Sequence, residues 1–104
     1  MYTIIVSKRF RKQAGKLKKS NPSLLKKLET TIETLRLGQS LSPTHRDHKL
    51  TGHLTEFREC HVAPDWLLIY RQHKDVLILE LLSTGTHTTL LEKMRYIVDT
   101  FEAK

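Results

Sequence analysis

Apolar and polar residues follow two periods along this chain, and the switch between them marks out the elements. Tyr2 to Val6 is rich in β-branched residues with partial alternation and predicts a strand. From Lys8 to Lys19 the apolar residues Phe10, Ala14 and Leu17 recur at helical spacing, with lysines and arginines between them. Ser7 is placed to cap that helix. Asn21 followed by Pro22 opens a second one, along which Leu25, Leu28, Ile32 and Leu35 line a single face. Gly38 is its expected stop.

Gln39 to Thr55 is polar and without clear period, which predicts mostly loop. Period two returns from Leu54 to Val62, where Phe57, Glu59 and His61 share one face and Arg58, Cys60 and Val62 the other. Ala63-Pro64-Asp65 reads as a turn, Trp66 to Arg71 as an apolar strand, Gln72 to Asp75 as a second turn and Val76 to Leu82 as a further strand, so three strands form an antiparallel meander. Gly85 breaks the pattern. Thr89-Leu90-Leu91-Glu92 fits a capping box, and Leu90, Leu91, Met94, Ile97, Val98 and Phe101 then repeat at helical spacing. The expected fold is therefore α+β: an N-terminal strand and helical hairpin on a twisted, mostly antiparallel four-stranded sheet, closed by an amphipathic helix over 89–104. The apolar stripe of that last helix must dock on its own sheet or on a partner, and the uncovered sheet face favours the first.

A chain of 104 residues suits one small domain. With 38% hydrophobic and 28% charged residues it has the balance of a globular protein, and no apolar run is long enough to span a bilayer. The apolar N-terminus is too short for a signal peptide, and its basic residues follow instead of preceding it. Cys60 is the single cysteine, so no internal disulfide can form, and a cytoplasmic location without membrane contact is the expectation. Net charge is +7, unevenly spread: residues 1–50 hold twelve Lys and Arg against three acids, and residues 51–104 hold six against eight. Such a basic half attracts phosphate backbones or acidic proteins, although a solvated lysine face would have the same composition.

Six histidines change the picture further. In the meander, Trp66 starts the strand that follows His61, and the next strand returns to the same end before Gly85 and His87. His61, Asp65, Trp66 and His87 can therefore meet at one rim. Imidazoles near neutrality exist in both protonation states, which suits a base and an acid acting on RNA, where a 2′-hydroxyl attacks the neighbouring phosphorus and no cofactor is needed. Plainer readings stand beside this one: scattered surface histidines, a core tryptophan, and an aspartate that only shapes a turn. His45 and His53 sit in polar loop and His73 in a turn. Alternation turns Cys60 away from His61, which favours a buried thiol over a Cys–His pair. His48, His53, His61 and His87 lack compact metal-ligand spacing, so no metal site is expected.

Asp47-His48-Lys49-Leu50-Thr51-Gly52, the run Phe57 to Arg71 (FRECHVAPDWLLIYR) and Thr84-Gly85-Thr86-His87 resemble, in order and spacing, the RelE superfamily of toxins from toxin–antitoxin systems, and most of all its YafQ branch of ribosome-dependent mRNA interferases. The likeness covers roughly residues 1 to 91. It implies a RelE/ParE-like fold, with His48, His61, Asp65 and His87 in an active site and Trp66 beside them. It also implies mRNA in the ribosomal A site as substrate and a small acidic antitoxin as inhibitor. Where the family pattern has Phe four residues after the last histidine, this chain has Leu91.

The resulting expectation is a type II toxin that cuts mRNA on the ribosome by metal-independent acid–base catalysis. His87 is assigned as acid and His48 as base, labels that the sequence leaves interchangeable, with His61 and Asp65 positioning the phosphate. Arg58, Arg71 and the helix-one lysines Lys12, Lys16 and Lys19 are expected to contact mRNA and 16S rRNA phosphates. The alternative is a non-catalytic relative that binds a protein such as gyrase, against which the retained histidine set argues.

Overall fold

A computed structural model describes residues 1–52 and 56–90. Ser7 and Asn21 begin the two helices as their chemistry requires: the Ser7 hydroxyl accepts from the Phe10 amide at 3.0 Å and the Asn21 side chain from the Leu24 amide at 3.2 Å. Helix α1 spans Lys8–Ser20 and α2 spans Pro22–Arg36. Gly38 takes a positive φ of 75°, a conformation open to glycine at little cost, and its amide turns back to the Leu35 carbonyl to end α2.

The strands are β1 (Thr3–Val6), β2 (His48–Lys49), β3 (Arg58–Ala63), β4 (Trp66–His73) and β5 (Ile78–Gly85), in the spatial order β1-β5-β4-β3-β2. β3, β4 and β5 form the expected meander, and β1 lies parallel to β5 at one edge. The sheet thus has five strands and not four. The added one, β2, is two exposed polar residues paired with Glu59 and Arg58, and so short and polar a strand leaves no hydrophobic signature.

Two cores flank the sheet. On one face Phe10, Leu17, Leu28 and Leu35 of the helices pack on Cys60, Val62, Leu68, Tyr70, Leu79 and Leu81. On the other, Phe57, Leu67 and Ile69 bury Leu90, which is 2% exposed. At roughly 1.5–3 kcal/mol per large side chain, burying Leu90 fastens the chain after β5 onto its own sheet. Residues 91–104, including Leu91 and the rest of the expected helix, lie outside the described residues.

Three boundaries beyond β3 differ from those expected. β4 continues to His73, so Lys74 to Leu77 make the turn; Val76 and Leu77 are exposed there, although they looked like the start of a strand. Leu77 sits at φ 54°, and its carbonyl accepts from the Thr3 amide, which ties the turn to edge strand β1. Gly85 closes β5 instead of breaking it. The helix cap falls on Thr86 and not on Thr89: Thr86 accepts from the Thr89 and Leu90 amides, and the helical turn opens at His87. Two threonines three apart offered the same chemistry, and the one leaving the sheet took the role.

Cys60 is fully buried on the helical face, away from His61. Burial first, then the Asp47 and Glu59 charges, push its thiol up from 9.0 to about 12. A raised acid leaves stability intact below pH 9 and lowers it as pH climbs from 9 towards 12, because only the unfolded chain ionises there. A Cys60→Ser variant should lose part of that alkaline fall in chemical-denaturation midpoints, and the native thiol should resist dithionitrobenzoate at pH 8 until the protein is unfolded.

Candidate active site

The approach to the sheet is a tight segment. A short 3₁₀ turn, Pro43–His45, ends at Arg46 in the left-handed region (φ 46°), which redirects the chain into β2. Asp47 then anchors it. Its carboxylate accepts from the Arg58 guanidinium at 3.1 Å and from the hydroxyl of buried Tyr70. Burial, together with the Asp47 bond and charge, holds the Tyr70 phenol above its usual range, so it stays a donor.

This anchoring presents His48. Its Nδ1 lies 2.6 Å from the Arg46 carbonyl oxygen, and a carbonyl only accepts, so Nδ1 carries the proton. In the neutral ring Nε2 is then left with its lone pair. That atom faces the Glu59 carboxylate at 3.9 Å. Glu59 is 8% exposed and sits opposite His48 in the β2–β3 ladder. No catalytic role was assigned to Glu59 from the sequence, yet strand alternation had already set it on the face of His61.

Register sets His61 two residues further along β3 than Glu59, at the end of the sheet to which β5 returns. His61 pairs with Leu67, and Leu67 with Gly85. Strands lie about 4.8 Å apart, which puts the His61 and Gly85 backbones about 10 Å apart and His48 about 8 Å from His61. The β3–β4 register shifts at Val62, a bulge that lets the strand turn beside His61. His87, exposed, follows two residues beyond Gly85 and opens the helical turn. His48, Glu59 and His61 therefore lead along the β2–β3 edge to a rim beyond which His87 opens the helical turn.

Asp65 and Trp66 take a different side of that rim. The indole packs on the helical core and donates from Nε1 to the Thr84 hydroxyl at 2.8 Å, and Thr84 passes a 2.7 Å bond on to the Leu67 carbonyl. Asp65, Trp66, Lys27 and Thr86 border a hollow beside the α1–α2 turn. Trp66 is thus half-buried and braced, with only part of its ring available for stacking.

Arg58 and Arg71, expected as phosphate ligands, are each bonded to carboxylates. Arg58 holds Asp47; Arg71 holds Glu56 and Glu80, both at 2.9 Å, and lies over the Phe57 ring. His73, expected to be a solvated turn residue, joins this group at 2.6 Å from Glu80. Burial works to raise the Glu80 carboxyl, but the bonds from Arg71 and His73 more than offset it and keep it ionised. Lys12, Lys16 and Lys19 are exposed on α1. His45 bonds Ser42 at 2.9 Å, and His53 lies outside the described residues. Among the described residues no three His, Cys, Asp or Glu side chains stand together as a metal-ligand set.

A family model described as the bacterial toxin YafQ of type II toxin–antitoxin systems matches residues 2–92. The chain belongs to the YafQ family. Its fold resembles a metal-bound toxin from Helicobacter pylori, at 41% identity and a TM-score of 0.78 over 86% of this chain and 99% of the other. It also resembles the toxin in the Escherichia coli DinJ–YafQ complex, at 30% identity and a TM-score of 0.76 over 86% and 98%. The curated mRNA interferase toxin YafQ of E. coli strain K12 is 42% identical over 50 residues, 48% of this chain. The chain spans about half, 52%, of that relative's length.

The Asp47 anchor has a measurable consequence. Asp47→Ala would leave the Tyr70 hydroxyl and the Arg58 guanidinium without their acceptor, at a cost of roughly 1–3 kcal/mol. Urea denaturation should show that loss, and amide exchange at residues 46–49 should speed up beyond the global effect.

Proposed function

We propose that this protein is the toxin of a type II toxin–antitoxin pair and an endoribonuclease that cuts mRNA in the ribosomal A site. The observation that carries the reading is His48, whose tautomer is fixed by the Arg46 carbonyl so that Nε2 is the free base, on a rim that also bears His61 and His87. The chemistry balances without a metal. His48 Nε2 takes the 2′-hydroxyl proton, the 2′-oxygen bonds to phosphorus, and the bond from phosphorus to the 5′-oxygen breaks. His87 gives its proton to that leaving oxygen.

Glu59 faces the imidazolium formed at His48 and stabilises it by charge. His61 supplies a donor to the phosphoryl oxygens, and Asp65 at the strand mouth orients the neighbouring groups. Lys12, Lys16 and Lys19 present charge to rRNA, and the partially exposed Trp66 edge meets a base. An acidic antitoxin is the proposed protein partner. The DinJ-bound relative and the basic first half of the chain support that choice.

Each positioned proton transfer contributes about 10²–10⁴ in rate. His87→Ala should therefore abolish growth arrest and lower single-turnover cleavage of ribosome-bound mRNA by at least about 10². Its thermal midpoint should stay within about 2 °C of the parent, because exposed substitutions cost little. Full toxicity of His87→Ala at equal expression would remove His87 from the reaction.

A further inference from the structure

A cleft of about 620 Å³ opens between α2, the 3₁₀ turn and the end of β3, where His61 to Pro64 form one wall. Lys26 and Lys27 reach it from α2, His45 and Arg46 from the turn, and Thr30 and Thr44 add hydroxyls. No Asp or Glu is among its lining residues. That charge is uncompensated: among the described residues Lys26, Lys27 and Arg46 make no ion pair, whereas Arg36, Arg58 and Arg71 are each held by a carboxylate. The cleft is within the size range of small-ligand sites and can take a nucleotide. Its position is tied to the chemistry, because the Arg46 that lines it also gives its carbonyl to His48, and the Lys27 that lines it also borders the hollow at Asp65.

We infer that this cleft binds the phosphodiester backbone of the substrate RNA next to the scissile bond, with Lys26, Lys27 and Arg46 as phosphate ligands and His61 at the boundary with the reacting phosphate. The inference rests on the nuclease reading. It adds a subsite that fixes the register of the strand, so that the 2′-hydroxyl of one nucleotide falls to His48. The α1 lysines are a separate, exposed surface and have no part in it.

The test uses the full chain and ribosomes carrying a short mRNA in the A site, with a 2′-O-methyl group at the cut so that binding is read without cleavage. Lys26→Gln combined with Arg46→Gln should weaken binding at least about tenfold and lower the slope of log affinity against log salt by about 1.4, two single-strand phosphate contacts. Uncharged methylphosphonate linkages flanking the cut should weaken the wild-type protein to a similar extent and cost the double variant little more. On unmodified mRNA the variant should need at least about tenfold more toxin for half-maximal cleavage, in step with its weaker binding. Wild-type affinity and salt slope in the double variant would overturn the proposal. So would a weakened variant whose wild-type parent ignores the neutral linkages, since the cations would then face rRNA. Failure of the nuclease reading has its own signature: wild-type protein that binds but leaves unmodified mRNA whole, in which case the binding arms still decide whether the cleft holds the strand.

Discussion

Burial of β4 on both faces is the constraint from which the rest of this structure follows. Leu67 and Ile69 pack on one side and Leu68 and Tyr70 on the other, all four nearly inaccessible to solvent. A slip of one residue would exchange the two cores, so the register of β3 and β5 against this strand is strongly specified. That register sets His61 opposite Leu67 and Leu67 opposite Gly85, and so fixes how far His61 stands from the start of the last helical turn. The rim is therefore placed by apolar packing some distance from the polar groups it presents.

A second level of control is electrostatic. The buried Tyr70 hydroxyl on β4 reaches across β3 to Asp47, and Asp47 holds the segment that carries His48. The strand that sets the register thus also holds the proposed base in place. Arg71, His73 and Glu80 make a comparable polar cluster toward the opposite end of β4 and β5, where it closes the hairpin. Cations bound in these networks serve the fold. Lys26, Lys27 and Arg46 in the cleft beside His61, and Lys12, Lys16 and Lys19 on α1, make no such bonds among the described residues.

Much of this was legible in the sequence, for definite reasons. The helices declared themselves through period and caps, since Ser7 and Asn21 have side chains that satisfy helix-end amides. The meander followed from two short turns, and with it the return of His87 to the end that carries His61. Other features have no local signature. β2 is two polar residues whose strand character comes from Glu59 and Arg58 alone. Val76 and Leu77 look like strand but form the turn, because pairing of His73 with Ile78 extends the hairpin. The ion pairs of Arg58 and Arg71 with Asp47, Glu56 and Glu80 have no local signature in composition. Glu59 was visible as a member of the right face, but its closeness to His48 needed β2.

An imidazole rim that drives attack by the RNA's own 2′-hydroxyl leaves a chemical record. The most direct test is the chemistry of the ends left when purified protein acts on ribosome-bound mRNA. Attack by the 2′-oxygen leaves a 2′,3′-cyclic phosphate upstream and a 5′-hydroxyl downstream, and a single 2′-deoxynucleotide at the cut should block cleavage there. A 3′-hydroxyl with a 5′-phosphate, or efficient cutting at the deoxynucleotide, would mean that water is the nucleophile and would contradict the account.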